Sequence, residues 1–337
     1  MKCKKCREHA SIELRRHHSA FCKAHYLEFF DRQVERAIRR HHMFQRDDRI
    51  LIGVSGGKDS LTLWDYLLRN DYSPTGLHIH LGIDEYSEHS CAATAKFAED
   101  RGAPLITVDL AQEYGMGVPA LSQVLRRVPC SGCGLSKRYI LNKEAYDRNF
   151  TVVAMGHNLD DEAATLMGNV LHWEMGSLAR QSPALPANGE KLIKRVKPLY
   201  TMTEREVAAN AILRGIAYVD EECPHSVGAS SILYKNALDQ IELQSPGTKH
   251  TFVATFLDRI RPVMEQAQEE FELRDCDICG QATTGTTCAF CRMWQQAHQK
   301  AAAPPRLPRR RKPKASTKEP SKELARELPA EDLPVQS

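Results

Sequence analysis

From Arg49 to Gly215 the chain alternates short apolar runs with amphipathic stretches, and that alternation admits few folds. ILIGVS, TGLHIHLGI, PLITVDL, TVVAMG and LIKRVKPL have the length and branched-residue content of strands. SLTLWDYLLRN, SCAATAKFAEDRG, LDDEAATLMGNVL and TEREVAANAILRG carry helical spacing, and a further helix is expected from about Ser131. The stretch holding Gly115, Gly117 and Pro119 is expected to be irregular. Strands that alternate with helices are joined by crossovers, which give a mostly parallel sheet buried on both faces. The predicted class is therefore α/β, a parallel sheet with helices on both faces. Ligands of such sheets lie at the carboxyl ends of the strands.

The rest of the 337 residues is arranged around that body. Residues 1–28 form a Cys/His module too small to hold a core without a staple. Residues 29–48 read as a helical linker, or a basic helix offered to a partner. Residues 49–225 are the expected catalytic domain, 226–274 a helical extension and 275–298 a second cysteine module. Residues 299–337 contain the RRRK cluster and many of the prolines, the composition of a disordered tail. The net charge of +3 conceals a division: +6 over residues 1–45 and +5 over residues 300–337 leave −8 for the middle. Basic ends around an acidic body suit a protein that grips a polyanion. No apolar run approaches the roughly 20 residues of a membrane span, and MKCKKCREHA lacks the apolar stretch of a secretory signal. A cytoplasmic protein without a membrane partner is expected.

SGGKDS, at 55–60, follows a buried strand and opens a helix. Gly56 and Gly57 let successive backbone N–H groups turn outward, and the helix N-terminus adds positive potential at the same point, so a polyphosphate is the expected ligand. The string lacks the GxxxxGK[ST] of a Walker loop and the GxGxxG of a dinucleotide site. At 156–165, GHNLDDEAAT also sits at a strand end before a helix. Gly156 permits close approach there, and Asp160, Asp161 and Glu162 number more carboxylates than a helix cap needs.

Ten of the eleven cysteines fall into three groups. Cys3, Cys6, Cys22 and His25 give CxxC…CxxH, and Cys276, Cys279, Cys288 and Cys291 give CxxC…CxxC; both spacings suit tetrahedral Zn²⁺. Cys130 and Cys133, in VPCSGCG, and Cys223, in ECP, supply only three ligands. From spacing alone a [4Fe-4S] cluster with one open iron, a Cys130–Cys133 redox disulfide, and zinc completed by His225 are equally compatible. Cys91 reads as a buried helix residue, and His9, His17 and His18 as surface residues.

SGGKDS after ILIGV resembles the PP-loop signature of the ATP-pyrophosphatases, which split ATP between its α and β phosphates and transfer AMP to a carbonyl oxygen. The order SGGKDS, PCSGCG, GHNLDDEAAT and ECP, with a cysteine module at either side, resembles the TtcA/TtuA family of tRNA 2-thiolation enzymes over residues 1–295. The terminal modules place the resemblance on the TtuA branch, with its cytosolic relatives. What the resemblance implies is specific. The fold is a PP-loop (HUP-type) domain, with Ser55, Gly56, Gly57, Lys58 and Ser60 around the pyrophosphate and Asp59 assisting through Mg²⁺. Gly53, Val54, His78 and Ile79 hold the adenine of ATP, and Gly156 and Asp161 complete the nucleotide site. Cys130, Cys133 and Cys223 ligate the [4Fe-4S] cluster, and Lys137 and Asp161 assist catalysis. The partners are tRNA and a ubiquitin-like thiocarboxylate sulfur carrier, with a homodimer left open. The implied reaction adenylates the C2 carbonyl oxygen of a uridine and replaces it with sulfur. The CxxH ending favours position 54 over position 34. A nitrogen-using PP-loop ligase and a noncatalytic zinc-ribbon RNA-binding protein are the two other classes that the residues alone admit.

Overall fold

The computed structural model describes residues 1–226, 228–266 and 272–302, so nearly all of the tail expected to be disordered lies outside the described residues. A hairpin, β1 (Ile12–Leu14) and β2 (Ser19–Phe21), leads into α1 (Lys23–Arg40). The body then runs β3 (Ile50–Val54), α2 (Lys58–Arg69), β4 (Pro74–His80), α3 (Asp84–Arg101) and β5 (Leu105–Asp109). It continues through α4 (Leu110–Tyr114), α5 (Val118–Leu125), α6 (Pro129–Asp147), β6 (Val152–Met155), α7 (Leu159–Leu171), α8 (Met175–Arg180), β7 (Ala184–Leu185), β8 (Lys194–Val196) and α9 (Glu204–Arg214). The extension holds α10 (Ser230–Gln244), α11 (Thr248–Thr255), a π-helical turn and α12 (Arg261–Gln266). A last hairpin, β9 (Arg274–Asp275) with β10 (Ala282–Thr283), precedes α13 (Ala289–Ala302).

The sheet order is β5-β4-β3-β6-β8-β7, parallel throughout except for the short edge strand β7. The alternation of side chains along a strand divides the core into two. Ile50, Ile52, Val54, Val152 and Ala154 face α1, α2, α7 and α9. Leu51 and Val153 face α5, α6 and α13. This two-faced burial is why the strands read as continuous apolar runs instead of alternating ones.

Three expectations need correction. The glycine-containing stretch at 110–125 is not irregular: Leu110, Val118, Leu121 and Leu125 are buried and form α4 and α5. Helix α1 is not a linker; Phe30 and Val34 are completely buried, because its apolar stripe closes one face of the sheet. Cys91 is half-buried, not buried. Among the described residues, no helix is long and apolar enough to cross a membrane.

Gly76 on β4 has room for no side chain, since a Cβ there would lie 2.5 Å from the indole of the buried Trp64, itself stacked on Phe97 with ring centroids 5.1 Å apart. Gly76→Ala is expected to destabilise the fold by about 1–3 kcal/mol. The measurement is denaturant unfolding, in which the midpoint should fall at constant slope.

Candidate active site

The chain leaves β3 towards β4 and β5 on one side and reaches β6 and β8 on the other. The crevice at the carboxyl ends of β3 and β6 is thus the topological switch point, where such sheets bind ligands. A cavity of about 270 Å³ opens there. Gly53, Val54 and Ser55 at the end of β3, Asp59 and Ser60 in the first turn of α2, His78 and Ile79 on β4, Lys137 on α6, and Gly156 and Asp161 after β6 all line it. Gly56, Gly57 and Lys58 do not reach its wall. Gly56 makes the turn itself: its φ is +75°, and a Cβ would lie 2.7 Å from the Ser90 carbonyl oxygen. Gly57 caps α2, and Lys58 turns away to donate to Glu204 at 2.8 Å.

Gly156 sets the depth of the crevice. A Cβ there would lie 2.8 Å from the Ser60 nitrogen, so the backbone after β6 rests directly on the first turn of α2. Asn158 then locks the two together. Its side-chain oxygen accepts from the N–H groups of Asp160 and Asp161, Asp161 accepts from the Asn158 N–H, and the Asn158 amide donates to Asp59 at 3.0 Å. This capping box starts α7 and aims Asp59 and Asp161 at one region. Burial pushes the Asp59 carboxyl up; Lys58 and Asn158 oppose it, Asp161 and Glu204 add to it, and the net result is above its ordinary value. Two hard carboxylates under mutual repulsion are a fitting seat for Mg²⁺.

Buried polar atoms without partners mark what the cavity lacks. His78 Nε2, Ser90 Oγ and His157 Nδ1 are each buried, and all three residues line the cavity. Burial pushes both imidazoles below their ordinary values, so each is neutral at pH 7 and offers hydrogen bonds rather than charge. An uncharged heterocycle with several polar edges fits those atoms, and the adenine of ATP is of that kind. His157, Ser90, Tyr86 and Arg138 are not among the residues expected from the sequence. His157 lies inside the GHNLDD string, whereas Ser90 reaches the site only through the packing of α3.

Cys130 and Cys133 sit in the first turns of α6, where Pro129 opens the helix. The Cys130 thiol donates to the His225 carbonyl oxygen at 3.4 Å, and the Ser226 N–H donates to the Cys223 carbonyl oxygen at 2.8 Å, bringing the ECP segment onto the PCSGCG turn. Burial raises the Cys133 thiol; Lys137 opposes the shift, and Cys223 and Cys130 add to it. Lys137, which lines the cavity, and the other two cysteines thus all act on the Cys133 thiol. Among the described residues only the two terminal groups draw their ligand atoms within 4.8 Å of one another, single-ion spacing. Cys130, Cys133 and Cys223 do not form such a group.

In the N-terminal group burial raises the Cys3 thiol, but the backbone N–H groups of Cys22, Cys6 and Lys5 outweigh it and hold it at about 6. Cys276 is held at about 6 by the N–H groups of Cys288, Cys279 and Ile278, again against burial. Backbone donors arrayed around a thiolate are the surroundings of a structural Zn²⁺ site. The C-terminal group is tied to the active site: Phe290 stacks on Tyr139 of α6 with ring centroids 3.7 Å apart, two residues beyond Lys137.

A parallel sheet whose first strand ends in a glycine-turned loop at the switch point is the architecture of PP-loop proteins, and the PP-loop domain family matches residues 27–227. Residues 2–27 match the N-terminal LIM domain of the 2-thiouridine synthetase TtuA, and the chain belongs to the TtuA family within the PP-loop proteins. A tRNA-5-methyluridine(54) 2-sulfurtransferase of Thermus thermophilus is 51% identical over 308 residues, covering 91% of this chain and 95% of that protein. A protein of the same name from Pyrococcus horikoshii is 44% identical, with 87% and 94% covered. The solved U34-tRNA thiolase NcsA from Methanococcus maripaludis, with its [4Fe-4S] cluster, matches with a TM-score of 0.76 at 26% identity, covering 88% of this chain and 96% of that one.

Because Gly156 separates the two halves of the site by contact distance alone, Gly156→Ala should weaken ATP binding at least tenfold, about 1.4 kcal/mol, while the far-ultraviolet circular dichroism stays unchanged. Isothermal titration calorimetry with ATP and Mg²⁺ checks it; unaltered affinity would mean that nucleotide does not enter this crevice.

Proposed function

We propose that the chain is an ATP-dependent tRNA 2-thiouridine synthetase acting on uridine 54 in the cytoplasm. The observation that carries the reading is Lys137: it lines the nucleotide cavity and opposes the burial of Cys133, so one cation serves both the ATP site and the Cys133 thiol. The identity of 51% to a named uridine-54 sulfurtransferase supports the position.

The uracil C2 carbonyl is a poor electrophile with a poor leaving group. Its oxygen attacks the α-phosphorus of ATP, pyrophosphate departs, and the oxygen becomes part of an AMP ester. A sulfur nucleophile then adds at C2, and AMP leaves with the original oxygen. In this reading Ser55, Ser60 and the N–H groups of the Gly56–Gly57 turn hold the departing phosphates, which gain from the α2 N-terminus. Lys58, held by Glu204, adds charge at the edge of the loop. Asp59 and Asp161 hold Mg²⁺, and Lys137 offsets the charge that develops between phosphate and the uracil oxygen. Gly53, Val54, His78 and Ile79 take the adenine. Cys130, Cys133 and Cys223 would ligate a [4Fe-4S] cluster, which supplies sulfur activation at an iron the protein leaves open. The two terminal groups take Zn²⁺, and a ubiquitin-like thiocarboxylate protein delivers the sulfur. The division into a PP-loop domain at 49–225, a helical extension at 226–274 and a zinc ribbon at 275–298 belongs to the same proposal.

Uridine 34 is the second reading, favoured by the likeness to NcsA. Mass spectrometry of nuclease-digested tRNA after the reaction distinguishes the two positions. Anaerobically purified protein is expected to be brown with four irons in one cluster per chain, and Cys223→Ala is expected to lose the visible absorption and the thiolation together. An unchanged spectrum in Cys223→Ala would overturn the ligand assignment, and a colourless protein active with ammonia would favour a nitrogen-using ligase.

A further inference from the structure

A second, larger cavity of about 830 Å³ lies away from the nucleotide site, between the N-terminal module, α1 and α11. Its walls carry Arg16, Arg36 and Arg40, with His17 and His250 beside them, and no Asp or Glu lines it. The carboxylates that meet its arginines approach from outside. Arg16 donates to Glu206 at 3.2 Å, and Arg40 makes two bonds to Asp258 at 2.8 and 3.0 Å. Arg36 meets only the side-chain oxygen of Gln33, at 3.4 Å, so among the described residues its charge has no carboxylate partner. Arg16 is nine-tenths buried, and its Nε is buried without a partner; the hydroxyl of Thr201, also on the wall, is another unpartnered buried atom.

The field in this cleft is visible in its histidines. Although His17 is exposed, its imidazole is lowered to about 4, by partial burial first and then by Arg16, His250, Lys4 and Arg36. His250 is lowered by burial, then by Arg16 and Arg40, against the weaker pull of Glu242 and Asp258. A site with three guanidinium groups, unsatisfied buried donors and no lining carboxylate is built for an anion of several charges.

A third cavity, of about 500 Å³, shares Arg16 and Pro246 with the cleft and reaches Asp160 and Glu204 at the N-termini of α7 and α9, beside the nucleotide site. Of the acids along that path, Glu206 pairs with Arg16, Asp160 and Asp239 share Lys249, and Glu204 pairs with Lys58 and Lys235, whereas Glu242 accepts only from the backbone N–H groups of Gly247 and Lys249, and Glu13 has no ion-pair partner among the described residues. The two cavities adjoin through Arg16 and Pro246.

We propose that the Arg16–Arg36–Arg40 cleft seats backbone phosphates of the tRNA while the target uridine lies at the nucleotide site. The inference rests on the functional reading above. Guanidinium contacts to phosphate position a nucleic acid without reading its sequence, so the cleft sets the register of the tRNA and the crevice at the switch point does the chemistry.

The test measures binding of the full chain to unmodified tRNA against salt concentration, with ATP affinity measured in parallel. Arg36 is exposed and its hydrogen-bond partner is the neighbouring Gln33, so its replacement is expected to leave the fold intact. Arg36→Glu is expected to weaken tRNA binding by at least tenfold and to lower the log–log salt slope by about one. Arg36→Lys keeps the slope, and ATP affinity stays unchanged in both. Equal tRNA affinity and slope in wild type and Arg36→Glu would overturn the proposal, as would an equal loss from the charge reversal Lys96→Glu on α3. Inorganic phosphate supplies the remaining arm: Arg36-dependent phosphate binding with tRNA affinity unaltered in the variant would make this a small-anion site and overturn the RNA assignment. A wild-type protein that binds no tRNA would overturn the functional reading itself, whereas normal wild-type thiolation with an indifferent Arg36 would reject the cleft alone.

Discussion

The site depends on a contact between two pieces of backbone. After β6 the chain passes over the first turn of α2 with only the hydrogen of Gly156 between them, and Asn158 then spans the gap by donating to Asp59 while its oxygen caps α7. That contact brings Asp59 and Asp161, 102 positions apart in the chain, to a common asparagine. A ring of ion pairs stiffens the arrangement from behind. Lys235 bridges Asp161 and Glu204 at 2.6 and 3.2 Å, Glu204 also holds Lys58, and the buried Lys249 joins Asp160 to Asp239. Each carboxylate there is paired, which is the condition for keeping so many charges half-buried without loss of stability.

The two cysteine modules are continuous with the two halves of the core. Cys3 and Cys22 pack with Phe21, Tyr26 and Phe30 on the α1 face of the sheet, whereas Cys276, Cys288 and Cys291 pack with Ile140, Met293 and Trp294 on the α6 face. The N-terminal module is fastened to α9 by Arg16 and by the Tyr26 hydroxyl, which donates to the Glu206 carbonyl oxygen at 2.5 Å. A module of under 30 residues cannot order itself by apolar burial alone, and both groups, whose ligand atoms could hold a metal ion, pack into the sheet faces they adjoin. Through the Phe290–Tyr139 stack the C-terminal module also bears on α6, which carries Cys130, Cys133 and Lys137.

The strands, the glycine loop and both four-ligand groups were legible because each is a local pattern: an apolar run of strand length, a glycine pair at a strand–helix junction, ligands in CxxC pairs. The helices at 110–125 were hidden by Gly115 and Gly117, which end one helix and precede the next, while the burial of Val118 and Leu121 against α6 and α13 decides the rest. Helix α1 read as a connector because its apolar stripe is narrow and its charges many, although that stripe fills one side of the core. Lys235, Glu204 and Ser90 carried no signal at all. A lysine on a polar helix looks the same in sequence whether it faces water or a pair of carboxylates.

Sequence alone determined the parallel sheet, the position of the phosphate loop and the ligand sets of the two terminal groups, since spacing of one, three or a few residues controls each of them. Only the tertiary structure decided that the His225 carbonyl lies on Cys130, that His157 and Ser90 face the same cavity, and that Arg16 and Arg36 share a cleft with α11. Those neighbours are separated by up to more than two hundred residues of chain, and what brings them together is the burial of two apolar sheet faces, which fixes the helices in space and leaves no local trace in the residues they carry.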